Sequence, residues 1–188
     1  MKKSSILILI IICLVGCKKG SNETTITGEI KGLGTDTLYL YGMDQLYDRI
    51  DTIYVENDKF SYTTSVDTIT SAYLLLKSRI EYPVFLDKGN KIKIKGDTIN
   101  LNFLTISGNI YNEEFTDFQK ALEDPADPSE KAGEETVDKR TTVEKANTAE
   151  EMAEEFILQH HSSYVSLYLL DKYFVQKETP DFSKIKKL

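Results

Sequence analysis

Between residues 24 and 108 the chain repeats one arrangement. A short alternating or β-branched run is followed by a turn, about every ten residues. Alternation of period two marks a strand with one buried face, and evenly spaced runs of this kind point to a sandwich or barrel. Thr24–Ile30 alternates and stops at Gly32 and Gly34, and Thr37–Tyr41 alternates leucine with tyrosine. Ile50–Val55 and Lys59–Val66 flank Glu56-Asn57-Asp58, a hairpin turn by composition. In the second arm Phe60, Tyr62, Thr64 and Val66 fall on one face. Ser71–Lys77 and Pro83–Asp87 are more continuously apolar, as buried strands are. Pro83 needs a strand start or an edge, since it donates no ladder bond. Lys91-Ile92-Lys93-Ile94-Lys95 puts isoleucines inward and lysines outward. Such lysines also protect an edge strand. Phe103–Ser107 completes the series. The expected fold is mainly β with an α extension: an antiparallel β-sandwich or partly closed barrel of about eight strands, then two to four helices.

The pattern changes at Gly108. Ile110, Phe115, Phe118 and Leu122 fall near helical spacing. Residues 123–147 hold Pro125, Pro128 and Gly133 among mixed charges, with too few apolar groups to bury, and read as a charged, solvated linker. Thr148 with Glu151 forms a capping box for a helix through Phe156 and Ile157. Ser162 or Ser163 caps a further helix over Tyr164–Val175, and Pro180-Asp181 opens a last short segment, Phe182–Leu188. The expected divisions are therefore a β-sandwich domain over 24–108 and a helical extension over 109–188.

The N-terminus has another logic. Lys2 and Lys3 precede ten apolar residues, Ile6 to Val15, and then Gly16 and Cys17. Ten helical residues span about 15 Å, half of a ~30 Å hydrocarbon core, so the run reads as a signal segment and not a span. Leu14-Val15-Gly16-Cys17 is a lipobox. Cleavage between Gly16 and Cys17 removes residues 1–16 as a lipoprotein signal peptide, and the Cys17 thiolate takes the lipid. More than one acyl chain anchors stably. Residues 17–23 read as a lipidated tether. No Asp follows Cys17 and no acidic run follows it. The expected location is the cell envelope, on the periplasm-facing side of the outer membrane.

Composition then excludes whole classes. Without Lys2 and Lys3, 21 basic residues face 30 acidic ones, a net charge near −9. That balance disfavours nucleic acid and anionic headgroups, so the expected membrane link is the lipid and not a basic patch. Cys13 leaves with the signal and the Cys17 sulfur is capped. No thiol remains for a disulfide, a redox site or a cysteine metal site.

Other constellations point to structure. His160-His161 is the only histidine pair, and adjacent helical residues diverge by about 100°, so no metal site is expected even with Glu154 and Glu155 nearby. The favoured role is at a helix end. The pairs Glu113-Glu114, Glu134-Glu135, Glu150-Glu151 and Glu154-Glu155 lie on polar faces and read as solvated. No G-x-S-x-G elbow and no phosphate loop is present. Tyr39, Tyr41 and Tyr47 offer a glycan or peptide surface as the alternative to core packing. Asp-Thr-Leu at 36–38 and Asp-Thr-Ile at 51–53, 67–69 and 97–99 resemble O-glycosylation acceptors, which marks Thr37, Thr52, Thr68 and Thr98. A turn-forming Asp beside strand-forming Thr and Ile explains the same tripeptides and is preferred.

One family carries these features in order. Gly28-Glu29-Ile30-Lys31-Gly32, Thr37-Leu38-Tyr39-Leu40, Ile50-Asp51-Thr52, Asp58-Lys59-Phe60-Ser61-Tyr62, Phe85-Leu86-Asp87-Lys88-Gly89 and Ile106-Ser107-Gly108-Asn109 follow a lipobox. Together they resemble the domain of unknown function 4369. Phe156-Ile157 to Tyr168-Leu169-Leu170 resembles the helical stretch that follows it, with His161 where that stretch has proline. The resemblance implies that many relatives place this domain before a thioredoxin-like C-x-x-C domain of an envelope thiol-disulfide oxidoreductase. It carries over no catalytic residue and no cofactor. The reading is a non-enzymatic, membrane-anchored binding or positioning module, partnered by the membrane and a periplasmic protein. The alternative is a truncated N-terminal part of such an oxidoreductase, and a weaker one is a glycan-binding accessory lipoprotein.

Overall fold

A computed structural model describes residues 22–43, 45–123 and 142–188. Within them eight strands form two four-stranded sheets. The strands are β1 (Glu23–Lys31), β2 (Asp36–Gly42), β3 (Ile50–Val55), β4 (Lys59–Ser65), β5 (Thr70–Leu75), β6 (Glu81–Leu86), β7 (Lys91–Asp97) and β8 (Thr105–Ser107). Sheet A has the order β4-β1-β7-β8 and sheet B the order β3-β2-β5-β6. Their inner faces meet in a core that includes Ile26, Leu38, Leu40, Ile53, Leu74 and Ile92. The architecture is the expected sandwich, open and not a closed barrel.

The sandwich departs from the sequence reading in three places. The sandwich is not wholly antiparallel: β1 and β7 pair in parallel, Thr25 beside Lys91 through Lys31 beside Asp97. About sixty residues separate them, long enough for the crossover a parallel pair needs. Strand β7 is also not an edge; it lies between β1 and β8. Its lysines point outward because they share the solvent face of sheet A, and alternation alone does not distinguish a central strand from an edge. Third, Asn57 (φ 50°) and Asp58 (φ 69°) do make a tight turn closed by Glu56 and Lys59, but its arms diverge into different sheets. The turn crosses the sandwich rather than closing a paired hairpin.

A polar cluster joins the two sheets at that seam. The Tyr47 hydroxyl donates to Asp51 of β3 and lies 3.1 Å from the Thr64 hydroxyl of β4. Arg49 stacks on the Tyr47 ring, pairs with Asp51 at 3.1 Å and donates to the Ser65 carbonyl at 3.0 Å. Burial, then a hydrogen bond to Asp51, pushes the Tyr62 phenol up to about 12, and the same two causes raise Tyr47. A phenol whose folded pKa exceeds its unfolded value of roughly 10 favours folding while neutral. That stability is fully present below pH ~10 and is lost as pH rises toward ~12. Thermal unfolding at stepped pH is expected to show a flat Tm up to pH ~9.5 and a fall above it, shallower in Tyr62→Phe. An unchanged slope in Tyr62→Phe would count against this assignment.

Four α-helices follow among the described residues: α1 (Ile110–Glu123), α2 (Thr142–Gln159), α3 (Tyr164–Leu170) and α4 (Phe182–Ile185). Most of the linker expected over 123–147 lies outside the described residues. Helix α2 already runs from Thr142, so Thr148 is interior and not a cap. A capping pattern is local, and no Pro or Gly interrupts the residues before it back to Thr142. Ser163 caps α3 by accepting from the Val165 N–H, and a π-helical turn, Asp171–Val175, continues it. Asp181 caps α4 through the N–H groups of Ser183 and Lys184. No described helix is long and apolar enough to cross a membrane.

Candidate binding surface

Helix α1 decides which part of sheet B stays open. Asn109 caps it, accepting from the Asn112 N–H at 2.9 Å. The buried Asn112 amide then behaves as a piece of strand. It accepts from the Phe85 N–H at 2.9 Å and donates to the Phe85 carbonyl at 2.8 Å. One turn later the Thr116 hydroxyl accepts from the Ile106 N–H and donates to the Ile106 carbonyl, both at 3.0 Å. Residues i and i+4 share a helix face, so one helix seals an edge of each sheet, β6 in B and β8 in A. Beside them the buried Tyr82 hydroxyl donates to the Leu104 carbonyl at 2.7 Å and accepts from its N–H at 3.0 Å.

Aromatic packing extends this cover over the outside of β6. Phe85 is fully buried and meets Tyr111, Phe115 and Tyr168 at ring distances of 6.2–6.4 Å. Phe115 meets Tyr168 edge-on at 5.3 Å. Such pairs add to area burial and lock the helices to the sheet. Strand β6 is therefore buried on both faces, which explains its unbroken apolar run. Pro83 sits in this edge strand, as its missing N–H requires.

The cover stops at Tyr73. Beyond it the outer face of β2 and β3 is open. Register places Ile50, Tyr41 and Tyr73 in one row, Thr52, Tyr39 and Leu75 in the next, and Tyr54 beside Thr37. Tyr54 is 74% exposed, Ile50 73% and Tyr39 41%. Tyr41 is half-buried, 5.8 Å from the Tyr73 ring, and burial with a hydrogen bond to Glu81 raises its phenol well above the ordinary range. Scattered exposed apolar residues need no explanation, whereas contiguous ones mark contact surfaces.

The structure separates the residues singled out from sequence. Tyr39 and Tyr41 lie on this face. Tyr47 does not; it is buried at the seam, because the network with Asp51 and Thr64 draws it inward. Tyr54 and Ile50 replace it as members of the surface. Sequence reasoning missed them because β3 carries apolar side chains on both faces, Ile50 and Tyr54 on one, Ile53 and Val55 on the other. Gly16 and Cys17 lie outside the described residues. Thr52 and Thr68 are exposed, while Thr37 and Thr98 are half-buried. Asp36 and Asp97 bond their own turns, at 2.8 Å to the Thr37 N–H and 2.9 Å to the Ile99 N–H, as turn-forming aspartates do.

Of the acidic and histidine pairs, Glu134-Glu135 lies outside the described residues, Glu151 and His161 are exposed, and several of the others make contacts within the chain. Glu150 pairs with Lys177 at 2.5 Å, and Glu154 with Lys184 at 2.6 Å, tying α4 and the segment before it to α2. Glu113 accepts from the Gly108 N–H at 3.2 Å, and Glu114 from the Ser163 hydroxyl at 2.5 Å. His160 stacks on Phe156 at 4.1 Å, just beyond the end of α2. Among the described residues no group of three His, Cys, Asp or Glu is placed to hold a metal.

No curated protein and no solved structure matches the chain. Residues 24–115 match the model of a family described as Domain of unknown function (DUF4369). The match runs from β1 through Phe115 of α1, and so takes in Asn109 and Asn112. The β-sandwich of this chain, together with the first part of the helix that seals it, is a DUF4369 domain.

Proposed function

We propose that the chain is a membrane-anchored lipoprotein of the cell envelope, held through Cys17 on the periplasmic face of the outer membrane. Its sandwich is a non-catalytic module that binds or positions a periplasmic protein. The open tyrosine–isoleucine face of β2 and β3 supports the binding role, because the rest of that sheet's outer surface is covered by the chain's own helices. Tyrosine is favoured at interfaces, with an apolar body and a polar tip.

A crosslinking experiment in cells tests both parts. With a photoreactive phenylalanine at position 54, the expected result is a discrete protein adduct in the membrane fraction, absent when the label is at position 186. Cys17→Ala is expected to leave the membrane fraction in a high-salt wash that removes electrostatically adsorbed protein, while the acylated wild type stays. Retention of that variant through the wash would refute the anchor, and no adduct at position 54 would refute the binding face. A second reading, the N-terminal part of an envelope thiol-disulfide oxidoreductase, rests on what the sequence resemblance implies for many relatives. A downstream frame encoding W-C-x-x-C past codon 188 would support it, and an unrelated gene there would exclude it.

A further inference from the structure

The outer face of sheet A is a lysine-rich plane on an acidic protein. Strand β7 presents Lys91, Lys93 and Lys95 along its exposed side, and all three are solvent-exposed. Because β7 is central, its neighbours extend the plane on both sides. Thr25 and Thr27 of β1 lie beside Lys91 and Lys93, while Ser107 and Thr105 of β8 lie beside Lys93 and Lys95. On the far side of β1, β4 adds Lys59, Ser61 and Thr63. The acids on this face are Glu23 and Glu29 of β1 and Asp97 at the far end of β7. Asp97 is the register partner of Lys31, which offsets it. The rest of the plane keeps four lysines against two glutamates, with Glu29 in register between Lys95 and Lys59. No apolar side chain interrupts the plane, and Lys91, Lys93 and Lys95 make no ion pair among the described residues. The whole mature chain carries a net charge near −9, so this concentration of cations is set by the fold and not by composition.

We propose that this plane docks flat on anionic phospholipid headgroups. The choice of partner rests on the anchored-lipoprotein reading. Parallel pairing of β1 with β7 sets Lys91 beside Thr25, at the same end as the chain's entry into the sandwich. From Cys17 to Glu23 is six residues, a reach of at most about 20 Å. The row from Lys91 to Lys95 is about 13 Å long at strand rise. An anchored Cys17 therefore holds the Lys91 end of the row within reach of the headgroups, and the plane lies down from there. Lysine ammonium groups attract phosphate as point charges, and threonine and serine hydroxyls supply hydrogen bonds to its oxygens. Docking by this plane leaves the tyrosine face, on the opposite sheet, turned away from the membrane and open to a partner.

The full mature chain carrying Cys17→Ala, which has no acyl chain, gives the test by co-sedimentation with vesicles. One set is phosphatidylcholine alone and the other adds phosphatidylglycerol. Binding is expected only to the anionic set and should weaken as salt rises. Each lysine removed should weaken binding about five-fold, so K91Q/K93Q/K95Q loses on the order of a hundred-fold. K120Q/K186Q/K187Q, with the same change in net charge, should lose far less. Equal binding to both vesicle sets, equal loss in both triple variants, or no anionic binding at low salt would overturn the proposal. So would binding to a soluble sulfated polysaccharide without binding to vesicles. None of these outcomes bears on whether the wild-type protein is retained through Cys17, so the two readings fail separately.

Discussion

Gly108→Ala is expected to be among the most destabilising single substitutions in the sandwich, at about 4 kcal/mol. Gly108 follows β8 with φ at +109°, a conformation that side chains rarely adopt. A Cβ there would lie 2.2 Å from the Lys91 carbonyl oxygen and 2.8 Å from its carbon. Both are backbone atoms of the central strand β7, so relief requires moving a sheet and not a side chain. Gly34 supplies the contrast. Its φ is also positive, at +72°, but a Cβ meets nothing within 4 Å. Gly34→Ala should cost only about 1–2 kcal/mol, the left-handed penalty alone. Urea unfolding of a chain spanning residues 18–188 measures both through the shift in midpoint at constant slope. Equal midpoints for the two variants would show that the close approach at Gly108 carries no cost.

Removing the amide that stands in for a strand should cost nearly as much. Asn112→Ala leaves the buried Phe85 N–H without a partner, while the Phe85 carbonyl keeps the Asn109 amide at 2.8 Å. One orphaned buried donor, with the lost packing, is worth about 3 kcal/mol. Thr116→Val keeps the shape and orphans both the Ile106 N–H and carbonyl, at about 2–4 kcal/mol. Asn100→Ala removes an exposed bond to Glu123 and should change stability by less than about 0.5 kcal/mol. The two edge variants also bare strand edges that the helix had covered. Sedimentation is expected to show concentration-dependent self-association in both and not in Asn100→Ala. Wild-type midpoints for Asn112→Ala would refute the edge-sealing role.

Much of the fold was legible because strand alternation is a local signal. Phe60, Tyr62, Thr64 and Val66 share a face as expected, and Ile92 and Ile94 are inward. Turn chemistry was legible for the same reason: Gly32, Gly34 and Gly108 all take positive φ. Pairing was not legible. Alternation in β7 is the same whether the strand is central or at an edge, and nothing in Glu56-Asn57-Asp58 states that its arms enter different sheets. The glycines of the resemblance show the same limit. Gly28 lies where the Phe60 ring passes, with a Cβ position 2.1 Å from that ring, a contact set by the β1–β4 register. The binding face divides likewise. Tyr39 and Tyr41 were marked by their alternation with leucine, but whether a tyrosine faces water or a polar seam depends on neighbours far along the chain. Tyr47 went to the seam, and Tyr54 took its place.

By itself the sequence determined the class of fold, the number and limits of most strands, the caps of the later helices and the thiol-free chemistry of the chain past Cys17. These follow from short-range periodicity, single-residue conformational preference and counting. Only the tertiary structure decided which surfaces remain for a partner. The parallel β1–β7 pair gathers separate lysines into one plane, and α1 seals two edges with Asn112 and Thr116 while leaving β2 and β3 uncovered. The physical reason is that a surface is made by residues distant in sequence. Net charge sums over all of them, whereas a partner meets only those that one sheet brings together.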